Sequence, residues 1–220
     1  MVRRIINWIV KSKKKTKETS GSSIVEFDIA TVAGGGASTN LPQFASRLYY
    51  ETKQIRDTLN GRKFEKSLEI GAGYARLSPL ITEFSDEHHA IEPSAELYAI
   101  SKNLYSNIKF INTTADSLPY ADNSFDFILT WTVLQHIPTE LFEKSIQEIN
   151  RVAKANATLL ICEYTKETPS KSTFGHSIEE YNNLFVGFEL LKADERITEL
   201  DYFTGHVMLF EGIKQENGNN

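Results

Sequence analysis

The chain has 220 residues and a net charge of −5, and 40% of its residues are hydrophobic and 24% charged, as in an ordinary globular domain. No apolar run approaches the roughly 20 residues of a membrane-spanning helix, and the single cysteine excludes an internal disulfide. Residues 1–17 contain seven basic residues and no acid, which leaves −12 for the rest of the chain and disfavours nucleic acid as a partner.

Three segments follow from the composition. Residues 1–23 are predicted to be a basic, flexible N-terminal segment, residues 24–214 a single domain, and residues 215–220 a disordered tail. A disordered, solvated tail is the first interpretation of residues 1–17, and peripheral contact of their apolar side chains and lysines with an anionic membrane is the alternative. A secretion signal is not indicated, because lysines follow the apolar stretch where small residues would be needed. With Cys162 as its only cysteine, the protein is expected to be cytoplasmic.

Helical spacing of apolar residues predicts a first helix over Leu41–Leu59, which Asn60 and Gly61 end. Strands and helices alternate after it. The predicted strands are Leu68–Ile70, Ala90–Glu92, Ile108–Ile111, Phe125–Leu129, Thr158–Cys162, Phe188–Leu191 and His206–Phe210. The predicted helices between them are Leu77–Phe84, Ser94–Leu104 with Ser94 as N-cap, and Thr139–Ala153. This alternation predicts an α/β fold, a doubly wound, mostly parallel, seven-stranded sheet with helices on both faces and its ligand at the carboxyl ends of the strands.

A glycine turn follows the first of these strands. Gly71 and Gly73 allow a tight backbone turn with room for a ligand against the main chain. Glu69 stands beside the turn, where a carboxylate would repel a pyrophosphate but accept hydrogen bonds from an ammonium group. The third glycine that a dinucleotide site favours is replaced by Arg76. The turn therefore indicates a cofactor with a cationic amino-acid end, such as S-adenosylmethionine, in place of NAD or FAD.

Two further acids stand at predicted strand ends. Glu92, about twenty residues after the glycine turn, is placed to accept the ribose hydroxyls of an adenosine. Asp116, after the third strand, is placed to accept the adenine amino group while a backbone N–H donates to the ring. The alternatives are a solvated carboxylate at a strand end for Glu92 and a local turn before Pro119 for Asp116.

The ordered motifs resemble those of class I S-adenosylmethionine-dependent methyltransferases, and most closely the type 11 group. The motifs that carry the resemblance are Glu69-Ile70-Gly71-Ala72-Gly73, Glu92, Ala115-Asp116, Ser124-Phe125-Asp126-Phe127-Ile128 and Leu134-Gln135-His136-Ile137. The match runs from about Ser67 to Glu163, roughly half of the chain, and implies a Rossmann-like fold with S-adenosylmethionine as cofactor. It assigns the methionine end of the cofactor to Glu69, Gly71, Ala72 and Gly73, the ribose to Glu92 and Pro93, the adenine to Ala115, Asp116 and Ser117, and the methyl group to Thr130 and Trp131.

The chain departs from this family at two places. Ala75 stands where many members have a third glycine, a change that we expect to cost little. Residues 154–157, Lys-Ala-Asn-Ala, replace a Pro-Gly-Gly turn before the fifth strand, and Asn156 is expected to tolerate a left-handed turn there.

His136 is the candidate catalytic residue, as general base for a hydroxyl or amine acceptor, and a purely structural role in its loop is the alternative. His88 and His89 are expected to point to opposite faces of a strand, away from the ligand end, and no side-chain cluster predicts a metal. Other candidates for the acceptor site lie in two segments. The first is the first helix, with Arg47, Tyr49 and Tyr50. The second is Lys171–Phe188, with His176, Glu179, Glu180 and Tyr181. For this second segment the alternative is core packing of Tyr181, Leu184 and Phe185.

Taken together, the sequence predicts transfer of a methyl group from S-adenosylmethionine to a small-molecule, sugar or lipid-linked acceptor by direct displacement. A non-catalytic adenosyl-binding or scaffold protein with the same fold is the main alternative. The three cofactor carboxylates argue against it, because a scaffold has no need of them. A nicotinamide oxidoreductase is disfavoured by Glu69 and Arg76.

Overall fold

The computed structural model describes residues 41–165, 173–197 and 205–213, which belong to one compact unit, Asn40–Asn220. The predictions for residues 1–23 and 215–220 lie outside the described residues. Among those described, no helix combines the length and apolar character needed to cross a bilayer.

The described part of the chain contains seven strands, five α-helices and one short 3-10 helix. The strands are β1 (Phe64–Ile70), β2 (Ser85–Ile91), β3 (Lys109–Ile111), β4 (Phe125–Trp131), β5 (Ala153–Tyr164), β6 (Phe188–Glu195) and β7 (Gly205–Gly212). The helices are α1 (Leu41–Leu59), α2 (Ser78–Ile81), α3 (Ala95–Leu104), α4 (Thr139–Val152) and α5 (Ile178–Leu184), with the 3-10 helix at Leu134–His136.

The strands form one sheet in the order β3-β2-β1-β4-β5-β7-β6. The first five strands of that order are parallel, and β7 runs antiparallel to both of its neighbours, β5 and β6. The predicted fold class, a mostly parallel seven-stranded sheet, is therefore confirmed. Because β7 alone is reversed, β6 ends at the same edge as β1, β2, β4 and β5.

The central strands are buried on both faces, and successive residues contribute to two separate clusters. In β5, Leu159 and Ile161 belong to one cluster, while Leu160 and Cys162 belong to the other. Helices α4 and α5 pack on the first face, and α1 and α2 pack on the second. Helices on both faces explain why these strands read as continuous apolar runs in the sequence.

Two local predictions are correct in detail. Ser94 caps α3, because its hydroxyl accepts the backbone N–H of Leu97. Helix α1 ends at Leu59 and is followed by Asn60 and Gly61 with φ of 45° and 76°, the left-handed conformation expected of a glycine stop.

The predicted helix over Leu77–Phe84 is shorter in the structure. It covers Ser78–Ile81 alone, and turns follow until β2 begins at Ser85. Gly73 and Ala75, just before it, have φ of 59° and 62°, which no right-handed helix permits, so the helix begins late.

The predicted left-handed turn at Asn156 is wrong. Strand β5 begins at Ala153, and Asn156 does not have a positive φ. The extra residues form an irregularity within the strand, since Ala153 pairs with Phe125 and Thr158 pairs with Phe127 on β4. A bulge absorbs residues where a turn was expected.

Candidate functional site

The glycine turn lies directly after β1. Gly71 and Gly73 have φ of 69° and 59°, in the left-handed region. At Gly71 the need for glycine is also steric, because a Cβ atom would lie 2.6 Å from Cγ2 and 2.8 Å from Cγ1 of Val133. Ala72 connects the turn to the neighbouring strand, since its N–H donates to the carbonyl of Ile91 over 2.9 Å. The turn is therefore held against the ends of β2 and β4.

Glu69 is buried at the end of β1 with one carboxylate oxygen held in place. Its Oε2 accepts a hydrogen bond from the hydroxyl of Ser78 and lies 3.4 Å from Nε2 of His88. Its Oε1 has no hydrogen-bond partner among the described residues. Glu69 thus presents an oriented, anionic acceptor beside the glycine turn.

The His88-His89 pair differs from expectation in one respect. The two rings do lie on opposite faces, with Nδ1 of His88 2.8 Å from the hydroxyl of Ser67 and the ring of His89 edge-on to Phe125. His88 nevertheless reaches Glu69 and is not remote from the ligand edge. The reason is that Glu69 points to the same face as Ser67, two residues earlier on β1.

Glu92 follows β2 and braces the glycine turn from the other side. Its Oε2 accepts the N–H of Gly73 over 2.8 Å, and its Oε1 accepts the N–H of Ser94 over 2.9 Å. Burial raises the pKa of Glu92 and the nearby charge of Glu69 adds to the rise, although the two backbone N–H groups oppose it. Two buried carboxylates at one corner of the site make it favourable for a cation.

The loop after β3 is tied to the end of β2. The side-chain amide of Asn112 donates to the carbonyl oxygens of Glu92 and Pro93, over 2.7 and 3.0 Å. This link keeps the loop that carries Ala115 at the same edge as Glu92.

Within that loop, Ala115 is buried, Asp116 is half-buried and Ser117 is exposed. A hydrogen bond from the hydroxyl of Thr114 lowers the pKa of Asp116, and the ammonium group of Lys144, 3.5 Å away, acts in the same direction. Asp116 is therefore ionised and presents a carboxylate on the rim of the site.

Thr130 and Trp131, which the resemblance assigns to the methyl group, are the last two residues of β4. Both side chains are buried, and both use their polar atoms inside the protein. The hydroxyl of Thr130 donates to Oε1 of Glu163 over 2.9 Å, and Nε1 of Trp131 donates to Oε1 of Glu51 over 2.9 Å. The two residues join β4 to a pair of buried carboxylates.

Glu163 fixes the loop that carries His136. Besides the hydroxyl of Thr130, its carboxylate accepts the backbone N–H groups of Val133 at 3.0 Å and Gln135 at 3.2 Å. Burial raises the pKa of Glu163, and the backbone donors partly offset that rise. A single side chain at the end of β5 thus organises the start of the 3-10 helix.

His136 is exposed, and its Nε2 lies beside the side-chain amide of Gln135. Oε1 of Gln135 accepts the N–H of Tyr164 over 2.6 Å, which identifies its other terminal atom as the amide nitrogen. That nitrogen lies 3.2 Å from Nε2 of His136 and donates to it. Gln135 thus links the ring of His136 to the backbone of Tyr164.

The segment before β6 contacts this loop and also fills the core. The N–H of Phe174 donates to the carbonyl of Gln135 over 2.7 Å, so the segment begins beside the 3-10 helix. His176 stacks on Phe142 with ring centroids 4.3 Å apart, and Tyr181 is buried in the core of that face. Core packing therefore accounts for Tyr181, while the start of the segment lies next to His136. Lys171 lies outside the described residues.

A second cluster of charges lies where α1 meets the sheet. Glu51 contacts Nε of Arg47 at 2.9 Å, Nη2 of Arg196 at 2.5 Å, and the guanidinium of Arg76. Burial alone would raise the pKa of Glu51, but Arg76, Arg47 and Arg196 outweigh it and lower the pKa to about 2. Tyr49 is exposed and its ring is edge-on to Tyr50, away from this carboxylate network.

Four residues of the site were not found from the sequence. They are Glu51, Gln135, Glu163 and Arg196. Glu163 could have been identified, because it stands at the end of a strand as Glu69 and Glu92 do. Arg196 carries no local signal, because its partner Glu51 is 145 residues away in the chain.

Comparison with known proteins finds similarity to methyltransferases. A family model described as a methyltransferase domain matches residues 68–161. The chain is 33% identical over 82 residues to the ubiquinone/menaquinone biosynthesis C-methyltransferase UbiE of Rickettsia prowazekii (strain Madrid E), covering 37% of this chain and 32% of that protein. It is 30% identical over 164 residues to UbiE of Rickettsia bellii (strain OSU 85-389), and this match covers 70% of this chain and 65% of that protein. The chain thus spans about a third of the length of the first relative.

Among solved structures, the fold is similar to that of Burkholderia thailandensis 1,6-didemethyltoxoflavin-N1-methyltransferase, crystallised with 1,6-didemethyltoxoflavin and S-adenosylhomocysteine. The TM-score is 0.62 at 14% identity, and the match covers 77% of this chain and 79% of that one. At this identity the likeness concerns the fold.

Proposed function

The chain belongs to the class I S-adenosylmethionine-dependent methyltransferases, and we propose that it transfers a methyl group from S-adenosylmethionine to a small-molecule, sugar or lipid-linked acceptor. The family match covers the segment with the glycine turn and the carboxylates at the strand ends. A non-catalytic adenosyl-binding or scaffold protein with the same fold remains the alternative.

One observation carries the proposal. Oε1 of Glu69 has no hydrogen-bond partner among the described residues, while Oε2 is held by Ser78, so the carboxylate is oriented and still able to accept. It lies beside the turn formed by Gly71 and Gly73. An anionic acceptor next to exposed backbone suits the ammonium group of S-adenosylmethionine and disfavours a pyrophosphate. The free oxygen of Glu69 and the neighbouring glycine turn therefore fit this cofactor.

The remaining contacts follow the resemblance. Glu92 would hold the ribose, since each carboxylate oxygen accepts one backbone N–H and has capacity for a second hydrogen bond. Asp116 would hold the adenine amino group from the rim of the site. Ala72, Pro93, Ala115 and Ser117 would contribute backbone and packing contacts.

Bound S-adenosylmethionine supplies a methyl group on a sulfonium, a leaving group that needs no further activation. The protein has to hold the acceptor in line and exclude water. For a hydroxyl acceptor, Nε2 of His136 would take the proton once the amide of Gln135 turns away from it. Turnover by His136→Ala that equals the wild-type rate would exclude this base role.

The relatives suggest a class of acceptor. UbiE is named for C-methylation in ubiquinone and menaquinone biosynthesis, so an apolar ring compound is the first candidate among small-molecule acceptors. The charge of −12 outside residues 1–17 disfavours nucleic acid. Association with a membrane periphery through residues 1–17 would suit a lipid-linked acceptor, and we propose it on charge alone.

The experiment is calorimetric titration with S-adenosylhomocysteine. Wild-type protein should bind, and Glu69→Gln should bind at least about ten-fold more weakly, because one charge-assisted hydrogen bond is lost. Glu65→Gln is the matched control, since Glu65 lies on the same strand but its side chain is 82% exposed and pairs with Lys154. Absence of binding by the wild type would favour the scaffold alternative, and binding of NADH would favour an oxidoreductase.

A further inference from the structure

The carboxylate of Glu69 is held by side chains that lie beneath the glycine turn. Its Oε2 accepts the hydroxyl of Ser78 and lies 3.4 Å from Nε2 of His88. Arg76 interacts with Glu69 electrostatically, although its guanidinium contacts Glu51. His88 is thus one of two hydrogen-bonding partners that the described part of the chain offers to this carboxylate.

The alignment of β1 with β2 explains how His88 reaches Glu69. Ser67 on β1 is directly opposite His88 on β2, and Glu69 is opposite Ala90, the next position on the same face. Strand β2 continues beyond His88 to Ile91 before it ends. The imidazole ring therefore approaches Glu69 from within the sheet.

Burial limits what His88 can do. Its side chain is 1% exposed and that of Glu69 is 5% exposed, and Ser67 is fully buried. The ring therefore offers no surface to a ligand, and any influence on the site has to pass through Glu69. In such a place a hydrogen bond to a carboxylate is stronger than it would be at the surface.

The chemistry of these groups sets the direction of the hydrogen bonds. An ionised carboxylate only accepts, so the hydrogen between Oε2 of Glu69 and Nε2 of His88 belongs to the imidazole. In the neutral ring, Nδ1 then accepts the hydroxyl of Ser67, 2.8 Å away. Because two donors occupy Oε2, Oε1 is the oxygen that is available to a ligand.

Resting on the proposed function, we infer that His88 is a positioning residue for the cofactor. It holds Oε2 of Glu69 so that Oε1 faces the ammonium group of S-adenosylmethionine, while it contacts neither the cofactor nor the acceptor itself. Its effect should therefore be confined to ligands that possess the amino-acid end.

The test compares two ligands by calorimetric titration of the full chain. S-adenosylhomocysteine carries the ammonium group, whereas methylthioadenosine keeps the adenosine and the sulfur but has no amino-acid end. His88→Asn and His88→Gln supply the same amide at two lengths, and the longer one extends about as far as Nε2 of the imidazole. His88→Asn should weaken S-adenosylhomocysteine about five-fold and change the affinity for methylthioadenosine less than about two-fold. His88→Gln should stay within about two-fold of the wild type for both ligands.

Two controls assign the effect. In a Glu69→Gln background, His88→Asn should change the affinity for S-adenosylhomocysteine less than about two-fold, since the group that it positions is already altered. The matched control is His89→Asn, the same substitution at the neighbouring position, where the ring is edge-on to Phe125 on the opposite face. It should leave both affinities unchanged.

Three results would overturn the inference. They are an unaltered affinity for S-adenosylhomocysteine in a folded His88→Asn, equal losses for the two ligands, and a five-fold loss that persists in the Glu69→Gln background. If neither variant of His88 folds, Ser67→Ala decides in their place, because it removes the partner of Nδ1 and should weaken S-adenosylhomocysteine alone, about three-fold. An equal or absent effect there would overturn the inference as well. Failure of the wild type to bind either ligand would instead contradict the proposed function.

Discussion

At the scale of single residues, Gly71 and Gly61 show that two glycines with the same backbone conformation can be required for different reasons. Their φ values are 69° and 76°, so both are in the region that L-residues avoid. A Cβ at Gly61 would meet nothing within 4 Å, whereas at Gly71 it would collide with the side chain of Val133. Gly71 is thus constrained both by its own conformation and by the loop after β4.

This contrast gives a first prediction. Gly61→Ala should lower the free energy of unfolding by about 1 kcal/mol, the cost of a left-handed alanine. Gly71→Ala should cost about 1–3 kcal/mol more, because the added methyl group is forced against Val133. Urea unfolding of both variants measures the difference.

The Val133→Ala background separates strain from collision. In that background the extra cost of Gly71→Ala should largely disappear, while the cost of Gly61→Ala should stay the same. Equal costs for the two glycine variants in the wild-type background would contradict the steric argument.

Sequence reasoning located single residues better than it located their partners. Glu69, Gly71, Gly73 and Glu92 were predicted at the ends of β1 and β2, and the structure has them there. The pattern could not reveal that the side chain of Glu92 would accept the N–H of Gly73, because that contact depends on how two neighbouring strands are aligned.

At the scale of elements, the 3-10 helix depends on a residue outside itself. Three residues cannot form a stable helix alone, and the carboxylate of Glu163 supplies acceptors for the N–H groups of Val133 and Gln135. The position of His136 therefore depends on the end of β5. The start of this loop therefore depends on a buried carboxylate that lies outside it.

A second prediction concerns this loop. Glu163→Ala should lower the free energy of unfolding by about 3 kcal/mol, because two backbone donors and the hydroxyl of Thr130 lose their acceptor. Hydrogen exchange, read by NMR, should accelerate at the amides of Val133 and Gln135 before it changes in β4 or β5.

Glu148→Ala serves as the control for the loop. Glu148 likewise accepts one backbone N–H, that of Leu118 at 2.9 Å, but on the partly exposed side of α4. Its loss should affect exchange at Leu118 and leave the 3-10 helix protected. Unchanged exchange at Val133 and Gln135 in Glu163→Ala would contradict the assigned role.

Element boundaries were predictable where one local rule decided them and not where two rules competed. Ser94 and the pair Asn60-Gly61 follow from local chemistry alone. The extent of the helix predicted over Leu77–Phe84 does not follow from local chemistry, because the left-handed conformation of Ala75 delays the start of α2. Periodicity records which residues are buried and is insensitive to a single left-handed residue.

At the scale of the whole molecule, Glu51 connects parts of the chain that are far apart in sequence. Its carboxylate joins α1 to Arg76 after the glycine turn, to Trp131 at the end of β4 and to Arg196 after β6. The alternation of strands and helices predicted the sheet that brings these places to one edge. It could not predict the ion cluster, since a lone glutamate on a helix carries no periodic signal.

The last prediction follows from the pKa of Glu51. Its folded value of about 2 lies below the ordinary 4.5, so the charged form stabilises the fold. A difference of about 2.5 units corresponds to about 3 kcal/mol, which is present above pH 4.5 and is lost as the pH falls through about 2. Glu51→Gln should therefore lower the free energy of unfolding by about 3 kcal/mol at neutral pH.

The pH dependence identifies the cause. Between neutral pH and about pH 3.5, the wild type should lose about 1 kcal/mol more than Glu51→Gln, since the variant has no such group to protonate. Urea unfolding at both pH values measures this difference. The control is Glu65→Gln, at an exposed ion pair, which should lower the free energy of unfolding by less than about 1 kcal/mol at either pH. A gap between wild type and Glu51→Gln that stays constant with pH would mean that Glu51 stabilises the protein by packing.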